Sequence, residues 1–568
     1  MPTPHTRVHT GLRTVVVAPP PHRPALPPPA PRPARPGAAA EPRGNAAAAR
    51  GVAHGMAPTP SDPPAPGVRA RDPRTAVLIG LMTAVALAAI DSTIVATAVP
   101  SIVGDLGSYT LYPWMFSGFL LTQAVSIPFY ARLADTYGRK PLLLVGTAVF
   151  LAASVLAGAA WSMEALIAGR VLQGVGAGAI GSISMTIAGD LYPVAERGRA
   201  NAALSSVWGI SAVLGPAVGG LFSDLVSWRW IFLVNIPVGL VALWLVHRNF
   251  TEVVGERPNR ARLDVGGAVL LLTGATLIML GLLESGTRWA WGSVPSTAVL
   301  AAGAAATAAF AWWENRAAAP MMPPRLWTRR VFIGVNTANA AVGVLLIAPV
   351  TMLPTFAQGV LGAGAAVAGF VVSAQSIGWP AASSLSAHLY MRAGFRQTAL
   401  LGVLFTLTAG TMLLFVDEGT ALGYIALCCL VQGAGLGLLS TSTVVGVQSL
   451  VPWDERGVVT GAAMFSRSVG SAVGAAVFGA VANSTLSTWF AGAPERIRGA
   501  LPQGVDEAGA VLARADDPEV LRYVQEGLTL ATHRVFLGLL VVSAVAFVAL
   551  AATARRWEPH HVRPRERG

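Results

Sequence analysis

The chain is poor in charge. Of its 568 residues only 12% are Asp, Glu, Lys or Arg, whereas 53% are hydrophobic; soluble globular chains carry about 25% charged residues. This shortage excludes an ordinary water-soluble domain and predicts an all-α polytopic membrane protein. Lysine is nearly absent, Lys140 being the single one among 40 basic residues. Cysteine is limited to the adjacent Cys428 and Cys429 inside an apolar run, which excludes a disulfide framework and reads as two small buried hydrophobes. There is no glycine-rich phosphate loop, no metal-ligand spacing and no Ser/His/Asp set that one face could hold. We therefore expect no enzyme, no catalytic residues, no cofactor and no metal. The net charge of +12 would suggest nucleic acid in a soluble chain. Here the arginines fall in the tails and in alternate loops, the pattern of membrane topology, and no nucleic-acid partner is expected.

What is present is a succession of apolar runs behind a tail. Residues 1–73 are rich in Pro, Ala and Arg and cannot bury enough apolar surface to offset ordering entropy, so a disordered cytoplasmic tail is expected. Met56 is a possible alternative start. Apolar runs then follow near 75–100, 110–130, 141–160, 164–188, 201–222, 229–247, 264–284, 295–313, 331–353, 364–388, 398–416, 421–447, 457–481 and 533–553. Each approaches the roughly 20 residues that a helix needs to cross the hydrocarbon, which predicts fourteen spans. Arginine is concentrated in alternate connections, including Arg197 and Arg199, Arg392 and Arg396, and Arg456. Both termini, including the tail 554–568, are accordingly expected in the cytoplasm. The one long outer segment, 482–532, is expected to contain a short amphipathic helix around Asp517–Glu526.

One charged island lies between the second and third runs. Arg132, Asp135, Arg139 and Lys140 crowd around Gly138, in what reads as a cytoplasmic turn between antiparallel neighbours. The chain also repeats itself. Leu172-Gln173-Gly174-Val175-Gly176-Ala177-Gly178 recurs as Val431-Gln432-Gly433-Ala434-Gly435-Leu436-Gly437, and at the same offset Glu196-Arg197-Gly198 matches Glu455-Arg456-Gly457 and Gly215 matches Gly474. The island has a weaker echo in Ala387, Leu389, Gly394 and Gly402. Such a colinear series predicts two duplicated halves, 75–247 and 331–553, with 264–313 as an inserted pair; in secondary transporters built this way the ligand site lies between the halves.

These residues resemble a known family. The island resembles the loop motif between helices two and three of the major facilitator superfamily, and the chain from about 75 to 555 is similar to its fourteen-helix drug:proton antiporter branch. Ile90-Asp91-Ser92-Thr93-Ile94-Val95-Ala96-Thr97-Ala98-Val99-Pro100 resembles the branch's first-helix signature, with Ala96 where Asn is usual. Gly209 followed by Gly215-Pro216-Ala217-Val218-Gly219-Gly220 is similar to the fifth-helix antiporter motif, and Trp228-Arg229-Trp230-Ile231-Phe232-Leu233-Val234-Asn235-Ile236-Pro237 is typical of the next segment. The resemblance implies a latch at Asp135, Gly138, Arg139 and Lys140 that holds the halves in the outward-facing state. Ala131 replaces the usual first glycine, Thr136 stands where a base is common, and Met391 occupies the repeat position of Asp135. A one-sided latch is expected.

Asp91 is the one acid well inside an assigned span, where an ionised Asp costs roughly 2.5–3.5 kcal/mol. Desolvation favours its neutral form, which suits a proton site; a carboxylate satisfied by backbone or hydroxyl groups is the other reading. Arg170 needs a partner or water at its depth. The resemblance implies that it couples proton to substrate, against an arginine snorkelling from a helix end, and a direct pair with Asp91 is one arrangement. Gly215 and Gly219 form a GxxxG face that serves either packing or gating. Trp114, Phe119, Gln173, Trp208 and Gln375 are candidate cavity contacts; Arg467 is either cavity-lining or interfacial.

The reading that follows is a proton-coupled exporter of lipophilic drugs or related small molecules, working by alternating access as a monomer in the bacterial plasma membrane. Its partners are substrate, protons and the lipid bilayer. With no carboxylate in the spans 331–353 and 364–388, neutral or monovalent substrates are expected over dications. An exporter of an endogenous metabolite, an uptake symporter of the same fold, and a non-transporting sensor or scaffold are the alternatives.

Overall fold

The computed structural model describes residues 15–17, 73–107, 111–252, 264–285, 288–317, 320, 322–324, 328–498, 501, 517–554 and 557. Apart from Val15–Val17, the tail 1–73 and most of 554–568 lie outside the described residues up to the start of the first helix. The first half comprises α1 (Pro73–Leu106), α2 (Tyr112–Tyr137), α3 (Arg139–Gly158), α4 (Met163–Leu191), α5 (Val194–Leu225), the short α6 (Trp230–Leu233) and α7 (Asn235–Asn249). An inserted pair follows, α8 (Val265–Glu284) and α9 (Val294–Glu314). The second half comprises α10 (Arg330–Gly359), α11 (Ala365–Ala393), α12 (Phe395–Leu413), α13 (Leu422–Leu450), α14 (Arg456–Ala491), α15 (Glu495–Arg498) and α16 (Pro518–Ala551). Ten helices among the described residues are long and apolar enough to cross a membrane. Four further long helices, α2, α5, α11 and α12, fall outside that set.

The packing repeats as the sequence does. In the first half α1 packs on α5 and α7, while α4 packs on α2 and α3; in the second, α10 packs on α14 and α16, while α13 packs on α11 and α12. The halves meet through α2 against α14 and α5 against α11, as expected for a pseudo-twofold arrangement. Small residues explain the Gln-Gly-x-Gly-x-Gly repeat. A Cβ at Gly174 would overlap Phe119 O and Thr122 Oγ1 of α2, and one at Gly433 would overlap Gln375 O of α11. Equivalent glycines thus bring equivalent helix backbones into contact. The inserted α8 and α9 pack on each other, and α8 reaches α2 and α14 through a cluster containing Leu121, Val125, Ala275, Met279 and Ala472.

Three expectations are corrected. The island is not a loop: α2 runs through Arg132 and Asp135 to Tyr137, α3 begins at Arg139, and Gly138 alone makes the break at φ 106°, a region that favours glycine. The segment 482–532 is shorter as a connection, because α14 continues to Ala491 and α16 starts at Pro518. The amphipathic stretch is the first turns of α16, where Tyr523 stacks on Trp489 with ring centroids 5.2 Å apart. Finally, Val15–Val17 of the tail forms strand β1, parallel to β2 (Phe250–Glu252). This is a run of three β-branched residues, the composition that strands favour.

Candidate functional site

Asp91 sits on α1 with no solvent exposure, and it is not alone. Arg170 Nη1 of α4 donates to Asp91 Oδ2 as a buried ion pair. Gln173 Nε2 and Asn235 Nδ2 donate to Asp91 Oδ1 at 3.1 and 2.9 Å. Gln173 Nε2 and Asn235 Nδ2 also reach Ser154 Oγ of α3, at 2.7 and 3.3 Å. Arg170 is held in turn by Met115 O at 3.2 Å and Gln173 Oε1 at 2.8 Å, with its guanidinium 4.2 Å from the Phe119 ring centroid. Of the arrangements left open by the sequence, the structure has the direct Asp91–Arg170 pair, set in a network that draws on α1, α2, α3, α4 and α7. Burial forces this, since an unpaired ion in the same place would be strongly destabilising. Phe119 and Gln173, expected to line a cavity, are buried within the network.

Local structure delivers these groups. α6 and α7 are separated at Val234, so that Asn235 opens α7 against Asp91. Just before, Arg229 Nη1 donates to Asp105 Oδ2 at 2.7 Å and lies over the Trp228 ring, which fixes the entry to this segment. Asn235 and Ser154 were missed as site residues in the sequence. Asn235 stood inside a quoted motif; Ser154, a serine in an apolar run, carried no signal.

The second cluster is at the end of the bundle that carries the island. Asp135 accepts from Gly457 N at 3.1 Å and Val458 N at 2.9 Å. These are first-turn amides of α14, which have no intrahelical acceptor, so a carboxylate of one half caps a helix of the other. Arg139 donates to Asp135 at 3.1 Å, to Asp190, and to Trp453 O at 2.6 Å, and lies 3.8 Å from the Trp453 ring centroid. Arg456 Nη1 closes the set on Asp190 Oδ1 at 3.0 Å. Asp190, Trp453 and Arg456 were not foreseen; Asp190 lies two residues beyond the end assigned to its span. Lys140 does not join: its Nζ donates to His247 O at 2.8 Å, and its backbone N to Glu252, within its own half.

Burial pushes Asp135 up to about 7, against Arg139 and the two amides that hold it down. Beside this cluster burial pushes Arg197 down to about 10, which leaves it charged at neutral pH, and pushes Tyr390 up to about 12. Tyr390 donates to Val194 O across the halves. At the repeat position Gly198 packs on Ser383 and Ala387, where a Cβ would come within 2.9 Å. The two halves thus touch at two equivalent places, one held by ion pairs and the other by the Tyr390 hydrogen bond and close backbone packing.

The remaining candidates are dispersed. Gly215 and Gly219 lie against Thr93, Ile94 and Thr97 of α1, whereas Gly220 faces open space; the side chain of Pro216 is outside the described residues. Gly209 abuts Ser376 of α11. Trp114 is half-buried, Trp208 is exposed, and Gln375 is buried with neither end of its amide hydrogen-bonded. Arg467 is half-buried on α14.

Two repeated helical halves meeting through charged contacts define the class as a polytopic membrane protein built like a secondary transporter. Residues 81–475 match the model of the Major Facilitator Superfamily, and the chain belongs to that family. It is similar to multidrug transporter protein MdtP of Bacillus subtilis (strain 168), at 30% identity over 72% of this chain and 76% of that one. Multidrug resistance protein 3 of the same organism is 29% identical over 84% of this chain and 94% of its own. Among solved structures, the human organic anion transporter MFSD10 (TETRAN) superposes with a TM-score of 0.54 at 16% identity, over 83% of this chain and all of that one. That likeness concerns the fold.

Proposed function

We propose that the protein is a proton-coupled antiporter that exports lipophilic drugs or related small molecules across the bacterial plasma membrane, as a monomer of fourteen spans with both termini cytoplasmic. The observation that carries the coupling is the buried Asp91–Arg170 pair with its Gln173 and Asn235 donors. A proton arriving on Asp91 removes the charge that Arg170 answers. Arg170 then keeps Met115 O, Gln173 and the Phe119 face, while α1 loses its ionic tie to α4. Proton binding is in this way converted into altered packing of α1 on α4, and α1 also packs on the glycines of α5.

Drug export is supported by the multidrug names of the Bacillus relatives, and antibiotic resistance is the phenotype it implies. The island latch closes the cytoplasmic side, which corresponds to an outward-facing state. Inward proton movement supplies roughly 2.3 kcal/mol per charge per 100 mV. The test is a substrate panel in inverted membrane vesicles, reading substrate-induced proton release. Wild type releases protons and Asp91→Asn does not; equal release from both removes Asp91 from the coupling.

A further inference from the structure

The chain does not leave the bundle where its last helix ends. α16 stops at Ala551, yet Trp557 beyond it is only 6% exposed. A side chain past the last helix stays in solvent unless something ties the chain back. Two ties are present. Arg396 Nε and Nη2 of α12 donate to Leu550 O and Ala551 O at 3.1 and 2.8 Å, last-turn carbonyls that have no intrahelical partner. Thr553 Oγ1 donates to Leu550 O at 2.7 Å and accepts from Trp557 Nε1 at 3.3 Å.

The indole fills a notch in α13. At Gly446 a Cβ would come within 2.7 Å of the Trp557 ring and 3.3 Å of Phe395 Cβ, so the glycine makes the room. The indole stacks on Phe395 with centroids 6.4 Å apart and planes at 20°, and Phe395 lies against Tyr390 at 4.8 Å and 30°. Aromatic pairs attract over about 4.5–7 Å. The row ends on the other half: Tyr390 Oη donates to Val194 O, and the Val194 side chain packs on the core of the second half.

Burial alone does not account for a row whose last ring spends its hydroxyl across the interface. Phe395 follows Gly394 as Arg139 follows Gly138, with both glycines at positive φ, 93° and 106°. Where the first half sets charges at this turn, the second sets rings. Closure of the island end therefore has an ionic side and an aromatic side.

We propose that Trp557 is a positioning residue for this closure: it fixes Phe395 and Tyr390 so that Tyr390 can hold Val194 of the other half. The segment after the last helix thereby acts on the balance between closed and open arrangements. The inference rests on the alternating-access reading and needs neither the proton nor the drug.

The test uses the full chain with spin labels on the island ends of α3 and α13, comparing the populations of short and long distances. Tyr390→Phe should shift the closing equilibrium toward the open form by roughly two- to tenfold, the scale of one neutral hydrogen bond. Trp557→Ala should shift it in the same direction, and Trp557→Phe should recover part of the loss. In the Tyr390→Phe background Trp557→Ala should add little, since residues that act through one contact are not additive. An unchanged ratio in Trp557→Ala, or a full further shift in that background, overturns the proposal. Should Trp557→Ala fail to fold, Gly446→Ala, whose methyl displaces the indole, carries the same comparison. A wild type with a single distance at every pH refutes alternating access and the proposal with it. Two distances whose ratio ignores Trp557 refute the positioning role and leave alternating access standing.

Discussion

At the scale of single residues, the decisive fact is that Asp91 and Arg170 are both essentially without solvent exposure. Removing one partner of such a pair strands the other, at a cost of about 3–5 kcal/mol. Arg170→Met should therefore lower the denaturation midpoint in detergent markedly, and adding Asp91→Asn to it should recover much of the loss. An Arg170→Met protein as stable as wild type would mean that the pair does not form. Asn235→Ala removes one neutral donor and leaves Arg170 and Gln173 in place, so a smaller loss of about 1–3 kcal/mol is expected. Sequence alone isolated both charged residues, because an acid and a base in apolar runs stand out against their surroundings. It could not join them: they are 79 positions apart, and only the packing of α1 against α4 decides whether they meet. Ser154 was invisible for the opposite reason, since a serine is unexceptional in a membrane helix.

At the scale of elements, the glycine string of α5 separates into positions with different duties. A Cβ at Gly219 would overlap Thr97 Oγ1 and come within 2.6 Å of Ile94 O, whereas at Gly220 it meets nothing within 4 Å. Gly219→Ala must push α5 from α1, an overpacking cost of about 1–3 kcal/mol. Gly220→Ala should be neutral or stabilising by up to about 1 kcal/mol, because alanine is the better helix former. Thermal unfolding and transport rate measured on the two variants decide this; equal damage from both would mean that the string acts through flexibility. The duplicated halves and the long helices were legible because glycine spacing and apolar runs are local properties. Helix ends were not. α2 and α3 extend into the charged island and α14 runs beyond its apolar stretch, since charged and hydroxyl residues remain helical where another helix or water satisfies them.

At the scale of the whole molecule, the two halves are joined at the island end by groups whose charge depends on pH. Asp135 is buried beneath the first turn of α14, and burial pushes it up to about 7 from an ordinary 3.8. When the halves separate, its carboxyl returns to water and to that ordinary value. Between about 4 and about 7 the closed arrangement then holds one proton more than the open one, so closure is favoured by acid and weakens as pH rises through about 7. Linkage sets the slope at up to about tenfold in the closing equilibrium per pH unit. The neighbouring charges oppose the shift without reversing it: Arg139 and the amides of Gly457 and Val458 favour the anion, and Asp190 is already shared by Arg139 and Arg456. The measurement is a distance distribution between spin labels placed on the island ends of α3 and α13, followed from pH 5 to pH 9 without substrate. The short distance should dominate at pH 5 and yield to a longer one above pH 7. In Asp135→Asn, which cannot ionise, the distribution should lose most of this dependence. A wild-type distribution that does not move, or one that closes as pH rises, would show that the cap on α14 carries its charge in both arrangements. Asp135 would then fix the register of the halves without sensing pH.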